Sequence, residues 1–258
     1  MAYDKLSLNG KVAVVVGGTT GIGNALSLGL TEAGASVIAT SRRIEEVERT
    51  AAEIEQRGGR TLRQTSDVTD RASLEKLKDV VLARFEKVDI LINCAGRTKR
   101  TPTLDVSEEE WNAIVECNLT GTLRGCQIFG RHMLERGYGR IVNIASLTTF
   151  VGFKDVAAYG ASKAAVGSLT KTLAVEWGPR GVNVNGIAPG VFVTDLNRQL
   201  LEGSERGKEL KLRTPGGRFG HVDELVGAAI FLSSDAAGFV NGEIIAVDGG
   251  FLASGVNQ

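Results

Sequence analysis

Tyr159 and Lys163 stand four positions apart in Tyr159-Gly-Ala-Ser-Lys163, and Ser146 lies upstream at the end of an apolar run. A phenol and an ammonium at i and i+4 share one helix face. A phenol ordinarily titrates near pH ~10, too high for a base at neutral pH. A cation held beside it favours the phenolate and lowers that value. The pair is therefore a candidate proton donor and acceptor. By itself it is equally an ordinary helix face, so the surrounding elements must decide.

A second candidate is the turn Gly17-Gly-Thr19-Thr20-Gly21-Ile22-Gly23. Glycines allow a tight turn and let backbone approach a pyrophosphate. A helix starting there offers unpaired N–H groups and a positive dipole end to an anion. The spacing is GxxxGxG rather than GxGxxG, and a structural turn is the alternative. Thr40-Ser41-Arg42-Arg43 follows the next apolar run. A carboxylate at that strand tip would accept from the ribose hydroxyl of NAD and repel the extra phosphate of NADP. Ser41 and two guanidinium groups suit the phosphate instead. NADP(H) is favoured on this reading, with Arg42 the better candidate and NAD(H) the alternative.

The elements that must position these groups alternate between two periods. Near-continuous apolar runs predict strands at Lys11–Val16, Ser36–Thr40, Thr61–Ser66, Val88–Asn93, Arg140–Ala145, Val182–Ala188 and Glu243–Asp248. Helical patterns are predicted at Gly21–Ala33, Ile44–Arg57, from an Asp70 cap to Phe85, at Ala157–Trp177 and at Val222–Ser233. Ser107 to Glu110 predicts a capping box opening a helical region to Arg136, with a break near 117–121. All four prolines, Pro102, Pro179, Pro189 and Pro215, are expected in loops. This alternation predicts an α/β doubly wound parallel sheet of seven strands, helices on both faces, in one domain over residues 1–258. The irregular stretch 191–220 is expected to be a lid or substrate loop, or a plain surface excursion.

Composition narrows the function classes. The chain has 258 residues, 43% apolar and 23% charged, with zero formal net charge. That argues against nucleic acid or an acidic membrane surface as partner. No apolar run approaches the ~20 residues of a membrane helix, and the N-terminus has no secretory h-region. Cys94, Cys117 and Cys126 form no CxxC pair, and with only His132 and His221 no metal site is expected. The odd cysteine count suits a reducing compartment, so a cytoplasmic location is expected.

Together these pieces resemble the short-chain dehydrogenase/reductase superfamily in its single-domain form, from Leu8 to Gly250. Its glycine turn is present as Val16-Gly17-x-x-x-Gly21-Ile22-Gly23, with Val16 in place of the usual Thr. Its adenine-contacting pair corresponds to Asp67-Val68. Its Asn-Asn-Ala-Gly is Asn93-Cys94-Ala95-Gly96, with Cys94 in place of the second Asn. Pro189-Gly190 to Thr194 matches the segment that holds the nicotinamide carboxamide. Asn118, Ser146, Tyr159 and Lys163 match the catalytic tetrad. The resemblance implies hydride transfer between an alcohol or ketone and a nicotinamide cofactor. Tyr159 would then move the proton, Ser146 would bond the substrate oxygen, and Lys163 would hold the nicotinamide ribose. Asn118 would hold a water.

The substrate is less legible. Arg97, Lys99, Arg100 and Arg124 cluster near the expected mouth. They form either a solvated basic face balancing Glu108–Glu110 or a site for an acidic substrate. The C-terminal half is similar to gluconate- and sugar-type dehydrogenases, which implies a sugar acid or polyol. A 3-oxoacyl-carrier-protein reductase is the alternative, and a non-catalytic nucleotide sensor a remote one. The resemblance also implies a homotetramer through helices at about 107–136 and 157–178 and through the C-terminus. Val166, Leu169 and Leu173 could serve that interface or the core, and the tail from Phe251 is expected to pack on a neighbour.

Overall fold

Val12–Val16 (β1) is buried at every position. Val12, Val14 and Val16 join one apolar layer, Ala13 and Val15 another. Side chains alternate across a strand, so the two layers lie on opposite faces of the sheet. Ile90–Asn93 (β3) repeats the division, with Leu91 in the first layer and Ile90 and Ile92 in the second. The first layer is closed by Arg71–Phe85 (α3), Gly121–Arg136 (α5) and Ala157–Trp177 (α6) through Leu77, Phe129 and Leu173. The second is closed by Gly21–Glu32 (α1), Ile44–Gln56 (α2) and Val226–Ser233 (α8) through Leu30, Ile54 and Leu232. Each fully buried Leu or Phe contributes about 1.5–3 kcal/mol, so these layers hold the sheet.

This architecture comes from a computed structural model that describes residues 4–194, 201 and 203–255. Ser36–Thr40 (β2), Gly139–Ile144 (β4), Val182–Pro189 (β5) and Ile244–Val247 (β6) complete a sheet ordered β2-β1-β3-β4-β5-β6, parallel throughout. The chain winds outward from β1 in both directions, so the strand ends at β1 and β3 flank the crevice where such sheets bind ligands.

The sheet has six strands among the described residues, not the seven expected. Thr61–Ser66 runs beside β2 but forms no ladder. It is pinned near its ends, by Val37 N to the Arg60 carbonyl and by Ser66 N to the Ser41 carbonyl, each 3.0 Å. The Thr40 hydroxyl also donates to the Gln64 carbonyl at 2.6 Å. Two prolines depart from expectation. Pro189 is the last residue of β5, where the Gly190 N–H carries the next bond, to the Val247 carbonyl at 2.8 Å. Pro179 lies in the 3₁₀ turn Gly178–Arg180. Val222–Ser233 opens with a 3₁₀ turn before α8.

Glu108–Val115 (α4) is capped by Ser107, whose hydroxyl accepts from Glu110 N. The break expected near 117–121 is a π-helical turn at Glu116–Thr120 joining α4 to α5. Val166 and Leu173 are core residues, 1% and 5% exposed, with Leu169 packed against the same layer. Of the stretch 191–220, residues 195–200 and 202 lie outside the described residues. The rest carries Glu205–Arg213 (α7) and a small apolar cluster of Leu201, Leu210 and Phe219. Phe251 packs against Phe153 of its own chain, ring centroids 5.8 Å apart.

Candidate active site

The turn after β1 can be built only from glycine at two points. Gly17 has φ 79°, and a Cβ there would fall 2.5 Å from Ala95 N; a Cβ on Gly23 would fall 1.9 Å from the Gly17 carbonyl oxygen. The turn thus presses backbone against the exit of β3 while α1 begins. No side chain caps α1, whose N-cap Thr20 is extended, which leaves its first N–H groups to an anion. The Thr19 hydroxyl donates to Ser41 Oγ at 2.8 Å, stapling the turn to the tip of β2. Arg49 Nη2 donates to the Thr19 carbonyl at 2.7 Å and pairs with Glu46 at 2.8 Å. Sequence reading gave no sign of Arg49, because only the fold brings α2 to this turn.

Beside the turn, Arg43 pairs with Glu46 at 3.3 Å. Arg42 is exposed and has no ion-pair partner among the described residues. Burial raises the Asp67 carboxyl. The Thr69 backbone and hydroxyl, with Arg42 and Arg124 nearby, more than reverse that and hold it below its usual range.

The end of β4 organises the second half of the site. Ser146 caps the turn Leu147–Thr149, and its Oγ accepts from Thr148 N at 3.1 Å. Lys163 is 4% exposed, and its Nζ donates to the Ile144 carbonyl at 2.6 Å. The same Nζ stands 5.8 Å from the centroid of the Tyr159 ring. Asn118, fully buried in the π turn, donates through Nδ2 to the Arg97 carbonyl at 2.9 Å and to Ser162 Oγ at 3.0 Å. Its Oδ1 accepts from Arg97 N at 2.8 Å. Asn118 therefore ties the loop after β3 to α6, and it does so from beneath the site.

One cleft of about 1160 Å³ joins the two halves. Its wall includes Gly17, Thr19, Thr20, Gly21, Ile22, Gly23, Ser41, Arg42, Asp67, Val68, Ala95, Gly96, Ser146, Tyr159, Lys163, Pro189, Gly190 and Thr194. Two predicted residues do not line it. Asn118 lies below, and Asn93 points into the core, where Nδ2 donates to Asn143 Oδ1 at 2.9 Å. Asn143 passes the chain on to Thr170 Oγ1, also at 2.9 Å. This polar ladder braces β3, β4 and α6. A dinucleotide fits the residues present: a glycine cradle that any Cβ would fill, uncapped N–H groups, a guanidinium at the β2 tip with no ion-pair partner among the described residues, and a cleft running to Tyr159.

The basic mouth resolves into pairs. Lys99 meets Glu110 at 2.6 Å, Arg100 meets Asp155 at 2.9 Å, and Arg124 meets Glu116 at 2.5 Å. Lys99 thus takes the balancing role weighed for this face, and Arg97 keeps an exposed side chain. Phe153, Thr148 and Arg206 also line the cleft. Sequence reading did not single them out, although Arg206 falls within the stretch expected to be a lid. Burial pushes the Cys94 thiol up to about 11, against the pull of Lys163, and pushes Cys117 up as well; neither is a nucleophile at neutral pH. No group of His, Cys, Asp and Glu among the described residues is arranged to hold a metal ion, and no described helix is long and apolar enough to cross a membrane.

Residues 16–252 match the family model described as Enoyl-(Acyl carrier protein) reductase. A 2-dehydro-3-deoxy-D-gluconate 5-dehydrogenase of Bacillus subtilis (strain 168) is 42% identical, over 97% of this chain and 98% of its own. An NAD-dependent glycerol dehydrogenase of Listeria innocua is 39% identical, over 96% and 97%. Among solved structures, a gluconate 5-dehydrogenase from Burkholderia cenocepacia J2315, in complex with NADP and tartrate, matches with a TM-score of 0.94 and 39% identity, over 98% of this chain and 99% of its own.

Proposed function

The chain belongs to the short-chain dehydrogenase/reductase family and is an NAD(P)-dependent alcohol–ketone oxidoreductase, and we propose that it acts on a sugar acid or related polyol with NADP(H) as its preferred cofactor. The observation that carries this reading is the single cleft running from the glycine turn, past exposed Arg42, to Tyr159, Ser146 and Lys163. Bound nicotinamide would supply or accept the hydride. Tyr159 gives its proton to the substrate oxygen in reduction and removes it in oxidation. Ser146 Oγ accepts from Thr148 N, which leaves its own O–H to donate to the same oxygen. Lys163 is aimed by its bond to the Ile144 carbonyl. Its Nζ would lie 3.7 Å from a Cβ built on Gly96, and its remaining N–H groups would hold the nicotinamide ribose. Asn118 keeps the floor rigid through Arg97 and Ser162.

Support for NADP comes from Arg42 and from the NADP-bound relative, while the NAD-dependent relative favours the other cofactor. An acyl-carrier partner would need unpaired basic residues at the mouth, and three of the four there already hold carboxylates. We further propose a homotetramer in a reducing compartment, the cytoplasm. Trp111 on α4 and Val175 on α6 expose large apolar side chains, 39% and 78%, and the three cysteines are unpaired.

The test is a steady-state screen of D-gluconate, sorbitol and glycerol with each cofactor. Arg42→Ala is expected to raise the KM for NADP about tenfold or more while changing that for NAD little. Equal effects on both cofactors would overturn the role of Arg42, and no turnover of any compound would overturn the substrate class.

A further inference from the structure

The guanidinium groups around the cleft differ in what holds them. Arg100 Nη2 lies 2.9 Å from Asp155 Oδ2. Arg124 is bound to Glu116 and to the Val68 carbonyl. Arg206, in the first turn of α7, lines the cleft and has no carboxylate partner among the described residues. Its one hydrogen bond among the described residues is long, 3.4 Å to the Lys154 carbonyl. Its Cζ stands 5.8 Å from the centroid of Phe153, and Phe153 in turn packs on Phe251. A planar cation thus rests on an aromatic platform assembled from two distant parts of the chain.

Burial and the neighbouring Arg100 charge push the Arg206 guanidinium down from its ordinary value. Of the two carboxylates that attract it, Asp155 is already bonded to Arg100 and Glu209 is paired with Arg213. A partly desolvated cation with a like charge beside it is relieved when an anion enters. Phe153 lines the same cleft as Ser146 and Tyr159.

Resting on the sugar-acid reading above, we infer that Arg206 is the residue that recognises the substrate carboxylate, holding a polyhydroxy acid whose alcohol carbon lies at Tyr159 and Ser146. A guanidinium receives a carboxylate through two parallel N–H bonds, which fixes orientation as well as charge. Arg206 then sets the preference for an acid over the neutral polyol of the same length. Arg100, nearer in sequence to the glycine-containing loop after β3, contributes less because Asp155 already neutralises it.

The experiment compares kcat/KM for D-gluconate and for sorbitol, with NADP, in the wild-type protein and in Arg206→Met, Arg206→Lys and Arg100→Met. The gluconate-to-sorbitol ratio is expected to fall about tenfold to a hundredfold in Arg206→Met, through the KM for gluconate. Arg206→Lys should retain part of the ratio, and Arg100→Met should lower it less. Arg206→Gln covers the case in which Met disturbs the packing on Phe153. Calorimetric titration of tartrate into the NADP complex should weaken in parallel. An unchanged ratio in both Arg206→Met and Arg206→Gln overturns the inference and leaves the dehydrogenase reading standing. Wild-type protein inactive on both compounds overturns that reading instead, and the tartrate titration then decides whether Arg206 binds an anion.

Discussion

At the scale of single residues, the site depends on groups that are aimed rather than merely present. Lys163 reaches the Ile144 carbonyl at 2.6 Å, and this fixes its ammonium under the loop after β3 and near the Tyr159 ring. Ser146 receives the Thr148 N–H, so its proton is directed elsewhere. Tyr159 is the cleft hydroxyl proposed to exchange a proton with the substrate oxygen. Tyr159→Phe is expected to lose about 10²–10⁴-fold in kcat, with NADP affinity measured by fluorescence titration nearly unchanged. Residual turnover close to wild type would remove Tyr159 from the proposed role.

At the scale of elements, two local irregularities build the cleft. The first is the glycine turn between β1 and α1. Gly17→Ala would force a left-handed φ of 79° on a residue with a Cβ and drive that Cβ to 2.5 Å from Ala95 N. The left-handed conformation alone costs about 1–2 kcal/mol, and the overlap adds to it. The variant should unfold at lower urea concentration and lose NADP binding. A crystal structure with the turn undisturbed and binding intact would contradict the argument. The second irregularity is the π turn at Glu116–Thr120, which carries Asn118 to a buried position where its side chain makes three hydrogen bonds inside the protein. Such turns recur at functional sites because the extra residue re-aims one side chain without ending the helix.

At the scale of the whole molecule, the parallel order β2-β1-β3-β4-β5-β6 gathers the ends of five strands around one cleft. The tail joins it, since Phe251 supports Phe153, and Phe153 carries Arg206. Exposed Trp111 and Val175 lie on α4 and α6, the elements proposed for subunit contact. Sedimentation equilibrium is expected to give a tetramer for the wild-type chain and smaller species for Val175→Asp. A wild-type monomer would overturn that proposal.

The sequence by itself determined the α/β class, most of the elements within a few residues, and the motifs in chain order. Those signals are local: a buried strand is an apolar run, a cap is one side chain, and a tight turn needs glycine. Even the break near 117–121 was legible, because glycine and polar residues interrupt the apolar period there. The tertiary structure alone decided which charges are already paired. Arg97, Lys99, Arg100 and Arg124 are equivalent as letters, yet Arg100 is held by Asp155, 55 positions away. Asn93 was expected at the cofactor, and only the fold shows that its side chain also braces Asn143 in the core. Thr61–Ser66 has the composition of a strand but makes no ladder beside β2. Pairing and burial depend on distant partners, and no local pattern encodes them. That is why the chemistry of the site could be read from the chain, while the residue proposed to select its substrate emerged only from the fold.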